Sequence, residues 1–373
     1  MNRRVFLQKG MGAVLGLALF ANRTRALAGP DPVPLEPAVK LGVRLPPRLE
    51  PGQLALLRQL DLGWCRVDIN PEDAEEERLS RICDTYAAAG VNSFAVTCRF
   101  GQDDRNGLEA HALERKIAQE QKLIRLLGRR GIKNYEIAFN RHTPGSQIYS
   151  TSTGYHRGIE VRRFELDKLR EIEARPATTL SAAEVTDAFD HYISRLLPVA
   201  EEAGVRIALH PDDPPIDVIG GVARIFHHID HFKRVFARHP SPNFGILFCV
   251  GTWAEGGSAM GADVTEAIRY FASQKRLFSV HFRNVSSPLP VFEETFMDDG
   301  YLDMQKVMNT LVDVQFDGLL VADHIPHFSG ETDRAPQNAA GRYESPFYPL
   351  GIAYSAGAMH TYLKTALRRA AAG

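Results

Sequence analysis

Short apolar runs alternate with amphipathic stretches along most of the chain. The runs read as buried strands at Lys40–Leu45, Leu62–Ile69, Ser93–Phe100, Asn134–Phe139, Arg206–His210, Phe244–Gly251, Arg276–Val285 and Gly318–Asp323. Helical periodicity lies between them. Pro71–Ala89 has acids in its first turn and Gly90 just past its end, and Leu108–Arg130 is stopped by Gly131. Ser181-Ala182-Ala183-Glu184 is a capping box that opens a helix running to Gly204. Further helices are predicted over Ala223–Arg238, Asp263–Gln274, Leu302–Val314 and Leu350–Arg369. Parallel neighbours need a crossover connection, so eight strands alternating with helices predict a closed (β/α)8 TIM barrel, an α/β single domain over residues 40–373. An open doubly wound sheet is the alternative, although no GxGxxG follows the first strand. The connection from Asn140 to Leu180 is long, polar and turn-rich, which predicts a lid over the barrel mouth.

Four of the later strands end in a potential metal ligand. Ile207-Ala208-Leu209 stops at His210-Pro211-Asp212-Asp213-Pro214-Pro215, where proline cannot continue a central strand. Cys249, His281 and Asp323 stand at the ends of the next three strands. Alone, a strand-end histidine is usually a hydrogen-bonding group and a cysteine usually core. Four such groups on consecutive strand ends point to a metal site at the C-terminal mouth, where barrel active sites form. Two imidazoles, a thiolate and a carboxylate suit Mn²⁺, Fe²⁺, Co²⁺ or Zn²⁺ and not the all-oxygen shells of Ca²⁺ or Mg²⁺.

Other candidates gather at the same lip. Arg283 alternates onto the face of His281 and could clamp a substrate carboxylate, or equally pair with a rim acid. Asp212 and Asp213 are candidates for orienting ligands or binding sugar hydroxyls. His324 is placed for proton transfer. Trp253, in a glycine-rich loop after Cys249, suits either sugar stacking or packing, and the His227, His228, His231 cluster reads as helix packing.

Composition adds an export signal and excludes several partners. Among the 373 residues the four cysteines form no CxxC pair, so the other three read as buried structural thiols. The first 28 residues carry Arg3, Arg4, Lys9, Arg23 and Arg25 and no acid. Asn2-Arg3-Arg4-Val5-Phe6-Leu7-Gln8-Lys9 resembles a twin-arginine motif, followed by an apolar stretch and Ala26-Leu27-Ala28 as a cleavage site. A periplasmic or secreted protein without a membrane span in its mature form is therefore expected, with a proline-rich linker over residues 29–39. Beyond residue 28 stand 39 basic and 45 acidic residues, a formal −6, which argues against nucleic acid. A homo-oligomer is compatible with the sequence.

Together the motifs resemble D-mannonate dehydratase, a family related to the xylose-isomerase-like barrels. The stretches that carry the resemblance are His210–Pro215, Phe248-Cys249-Val250-Gly251-Thr252, Val280–Val285, Tyr301-Leu302-Asp303-Met304 and Ala322-Asp323-His324. The resemblance implies Mn²⁺ held by His210, Cys249, His281 and Asp323. It implies loss of water from a six-carbon aldonate, giving a 2-keto-3-deoxy acid, with His324 as one proton-transfer group. The other is a tyrosine whose nearest counterpart is Tyr343, in Gly341-Arg342-Tyr343. The family's Arg-Trp-Tyr-Gly signature is replaced by Lys40–Leu45, leaving Arg44 as its substrate-binding counterpart, and its Trp-Thr-Arg segment by Asn140–Pro144. The expected substrate is a small sugar acid, D-mannonate or a relative. A metal-dependent isomerase or epimerase, or an exported sugar-acid-binding protein, is the alternative.

Overall fold

The computed structural model describes residues 39–100, 109–139, 150–172, 179–331 and 347–372. The leader and residues 29–38 of the linker lie outside the described residues, as do Tyr343 and the Asn140–Pro144 segment. The described chain falls within one unit, Pro37–Gly373. No described helix is long and apolar enough to cross a membrane.

Among the described residues there are thirteen strands, of which eight close the barrel. In chain order they are β1 (Lys40–Leu45), β2 (Trp64–Ile69), β3 (Asn92–Cys98), β4 (Asn134–Ile137), β5 (Ser152–His156), β6 (Ile159–Glu165), β7 (Arg206–Leu209), β8 (Val218–Ile219), β9 (Val222–Ala223), β10 (Phe244–Cys249), β11 (Leu277–Phe282), β12 (Val291–Glu293) and β13 (Leu319–Ala322). The barrel runs β1-β13-β11-β10-β7-β4-β3-β2, all parallel, so the closed (β/α)8 expectation holds and the open sheet does not. Its wall is tight at Gly245 in β10, where an added Cβ would sit 2.4 Å from the Arg276 carbonyl and 2.6 Å from the Phe278 ring. Gly245→Ala is expected to cost about 2 kcal/mol by overpacking, read as a lower urea midpoint with an unchanged m-value.

The predicted helix ends follow their local chemistry. Ser181 caps the helix Ala182–Ala203 by accepting the Glu184 N–H, and Gly204 closes it at φ +66°. Three elements depart from expectation. The helix Pro51–Gln59 has only Leu57 fully buried, so it lacks the apolar stripe that marks a helix in sequence. The predicted helix Ala223–Arg238 shrinks to Ile229–Arg238, because Val222–Ala223 pairs with β8 and His228 supplies the cap. Val250–Gly256, read as strand end and glycine loop, is a buried helical turn that Cys249 caps by accepting the Thr252 N–H at 3.4 Å.

The described part of the predicted lid is also folded. β5 and β6 form a hairpin whose second strand pairs with β12, and the helix Leu166–Ile172 follows it. Exposed ion pairs tie its tip down: His156 and Arg157 reach Asp299 at 2.9 and 2.8 Å.

Candidate metal centre and proton-transfer site

Register places the predicted ligands side by side. β7, β10, β11 and β13 are consecutive neighbours in the barrel. Cys249 is the Cα partner of His281, and His281 that of Val321, two residues before Asp323. The donor atoms of His210, Cys249 and His281 all lie within 4.8 Å of one another, and all three residues are buried. Asp323 Oδ2 lies 3.4 Å from His281 Nδ1.

Each donor is aimed by a neighbour. His210 Nδ1 lies 2.6 Å from the Pro211 carbonyl, which leaves Nε2 to face the cluster. His281 Nε2 is 2.8 Å from Arg66 Nη1, while buried His281 Nδ1 has no hydrogen-bond partner among the described residues. Burial pushes the Cys249 thiol up to about 12, a cost that a bound cation removes by taking the thiolate. Burial also pushes Asp323 upward, but His281, His324 and Arg44 together outweigh it and hold the carboxyl well below its ordinary range. An orphaned imidazole nitrogen, a buried thiol and an ionised carboxylate at one point fit a borderline divalent cation.

His324 stands at the edge of this cluster in the left-handed region, φ +46°, an uncommon backbone for a non-glycine residue and one that often marks functional sites. Its Nδ1 lies 2.5 Å from Glu294 Oε1 and its Nε2 3.5 Å from Asp323 Oδ2. Glu294 therefore turns Nε2 toward the metal-ligating groups. A cavity of about 280 Å³ adjoins His324, with Arg44 on one side and the β6 hairpin on the other.

Several predicted substrate contacts lie elsewhere. Arg283 is 2% exposed and is held by Asp213 at 2.8 Å, Glu255 at 2.7 Å and Glu294 at 3.2 Å. Of its two sequence readings the ion pair is the one formed, and no fork remains for a substrate carboxylate. Asp213 also accepts the Thr252 hydroxyl, and Asp212 accepts the Phe226 N–H at 2.7 Å. Both aspartates thus brace loops and are closed to sugar hydroxyls. Trp253 is 1% exposed, packs on Phe248 and donates to the Ala262 carbonyl, so it cannot stack on a sugar. Arg44 borders the cavity but is bound to Asp68 and Asp323. His227 and His231 stack edge-on, apart from the cluster, as packing predicts.

Five charged residues were not foreseen. Arg66 forks onto Asp68 at 2.7 and 3.0 Å and reaches Glu136 at 3.2 Å, all buried inside the barrel. Their signal was a charge at alternate positions of β2, which places Arg66 and Asp68 on one inward face. Glu255 and Glu294 join Asp213 around Arg283, and burial pushes the Glu255 carboxyl well above its ordinary range while the Arg283 charge pulls against it. Arg283→Met would leave that cluster without its cation. It is expected to cost about 4 kcal/mol in chemical denaturation, with Arg283→Lys recovering only part because one ammonium cannot span the three carboxyls.

The chain is similar to known proteins in sequence and in fold. The family described as D-mannonate dehydratase (UxuA) matches residues 146–364. Mannonate dehydratase 2 of Halalkalibacterium halodurans is 32% identical over 176 residues, 46% of this chain and 50% of the relative. Mannonate dehydratase of Enterococcus faecalis is 33% identical over 184 residues, 48% of this chain and 49% of the relative. The chain spans about half the length of the curated relatives it matches. Among solved structures, mannonate dehydratase from Streptococcus suis serotype 2 superposes with a TM-score of 0.72 at 22% identity, covering 89% of this chain and 96% of that one. An L-ribulose 3-epimerase follows at 0.55 and 15% identity, covering 89% of this chain and 97% of that one; both show a shared barrel fold.

Proposed function

This chain belongs to the D-mannonate dehydratase family, and from that premise we propose that it is a metal-dependent hydro-lyase acting on a sugar acid, D-mannonate or a related aldonate. The observation that supports this most is the meeting of His210, Cys249 and His281 within 4.8 Å, with Asp323 beside them and His324 at the edge. The donor set suits a borderline divalent ion, Mn²⁺, Fe²⁺, Co²⁺ or Zn²⁺, and the family resemblance puts Mn²⁺ first.

In the reaction proposed, the C2–H bond breaks and its proton passes to a base. The C3–O bond breaks and the hydroxyl leaves with a proton as water, and the resulting enol becomes the 2-keto-3-deoxy acid. The C2 proton is weakly acidic, so negative charge on the carboxylate side must be stabilised as it develops. A divalent ion held by His210, Cys249, His281 and Asp323 would supply that stabilisation as a Lewis acid. His324 would move one proton at Nε2, because Glu294 holds the other ring nitrogen. Tyr343 is proposed for the second proton by family resemblance. Arg44 would keep the Asp323 carboxylate oriented through their ion pair and back it with Asp68.

A twin-arginine leader over residues 1–28 and a periplasmic or secreted location complete the proposal; N-terminal sequencing of protein recovered from the periplasm would detect removal of the leader. The reaction itself is tested by incubating metal-loaded protein with D-mannonate and following 2-keto-3-deoxy acid. Product that forms with metal and stops with chelator is expected. Epimerised acid, or no 2-keto-3-deoxy acid from mannonate or any related sugar acid, would overturn the hydro-lyase reading.

A further inference from the structure

The cavity beside His324 holds more than a reaction centre needs. It is lined by Arg44, Glu294 and His324 on the barrel side, but by none of His210, Cys249 and His281. A substrate whose reacting carbons lie between those ligands and His324 must therefore run its remaining carbons into this cavity. The hairpin forms the far wall, and there the side chain to meet is Arg162.

Arg162 is exposed at the mouth of the cavity and forms part of its lining. It shares a face of β6 with Phe164, which is fully buried against Phe292. Its carbonyl accepts the Glu294 N–H at 2.9 Å, so it stands beside the residue that holds His324. Arg157 is paired with Asp298 and Asp299, Arg163 with Glu165 and Glu293, and Arg44 with Asp68 and Asp323. Arg162 has no ion-pair partner among the described residues. Glu160, on the same face, is met by the Tyr155 hydroxyl at 3.2 Å. Deeper in the lining, His327 Nε2 is buried without a hydrogen-bond partner among the described residues and is available to a ligand hydroxyl.

We propose that the substrate is a sugar acid bearing a second anionic group at the end remote from the reacting carbons, and that Arg162 receives that group. A guanidinium fork matches a carboxylate or a phosphate ester, whereas a six-carbon aldonate ends in a neutral hydroxymethyl that makes no use of it. The proposal rests on the hydro-lyase reading, which it narrows to a substrate class.

The test uses the metal-loaded full chain with three compounds of one configuration: D-mannonate, the corresponding diacid and the 6-phosphate. Turnover and calorimetric binding are measured for wild type, Arg162→Gln, Arg162→Lys and, as an exposed control, Arg170→Gln. Wild type is expected to favour the diacid or the phosphate over mannonate by ~10-fold in kcat/KM or affinity, the scale of one charged hydrogen-bonding pair. The arm that wins identifies the anion. The ratio should fall toward one in Arg162→Gln, recover partly in Arg162→Lys and stay in Arg170→Gln. A wild type that prefers mannonate, or a ratio indifferent to Arg162, overturns the subsite while leaving the hydro-lyase reading intact. Binding that shows the ratio without loss of water from any compound keeps the subsite and overturns that reading. No binding and no turnover of all three overturns both.

Discussion

Cys249→Ser and His281→Ala proteins, purified without chelators, are expected to carry at least ~10-fold less divalent metal than wild type, which should hold about one ion per chain. The two positions are the right ones to change because they sit at matching register on neighbouring strands and contribute donors of different kind. Serine keeps the volume of the thiol and its hydrogen bond from Thr252 but removes a soft thiolate. Alanine at 281 removes the imidazole whose Nδ1 faces Asp323. Stability gives a second readout free of activity. An ion present at about 100 times its dissociation constant adds about 2.7 kcal/mol, so chelation should lower the wild-type unfolding midpoint and leave that of Cys249→Ser where it is. Metal analysis beside thermal unfolding checks both. A wild type that stays metal-free after reconstitution, or variants that bind as much as wild type, would sink the metal centre.

His324→Asn should lower kcat by ~10³-fold while metal content stays near the wild-type value, because the ring is proposed to move a proton and not to ligate. Asparagine is chosen because residue 324 has φ +46°, which asparagine accepts more readily than alanine or a β-branched residue. The loss then reports chemistry and not a rebuilt loop. Glu294→Gln should act through the same ring, reducing turnover less, since an amide can still hold Nδ1 in place though it no longer balances a charged imidazole. Steady-state kinetics with metal analysis on the same samples decides. Retained activity in His324→Asn, or loss of its metal, would remove His324 from the proton-transfer role.

Eight barrel strands and their order were legible because each needs only local signals: a short apolar run, a stop, and a helical period before the next run. The four candidate ligands were legible for a related reason. A barrel converts the end of each strand into one place, so residues separated by up to 113 positions of sequence, His210 to Asp323, become neighbours once the strands are counted. The capping box at Ser181 and the glycine at Gly204 likewise acted within one turn of their own helix.

Tertiary structure alone decided which polar residues were free to act. Arg283 and Trp253 looked available at the lip, yet one is enclosed by carboxyls from three separate segments and the other by core aromatics. Nothing in the sequence marks Arg162; only the hairpin sets its carbonyl beside Glu294 and its side chain in the cavity lining. The pairing of Arg66 with Glu136 spans 70 residues, and that of Arg163 with Glu293 spans 130. Local propensity and periodicity act over one turn or one strand, whereas a charge is neutralised or left free by whatever the closed barrel brings within about 4 Å of it.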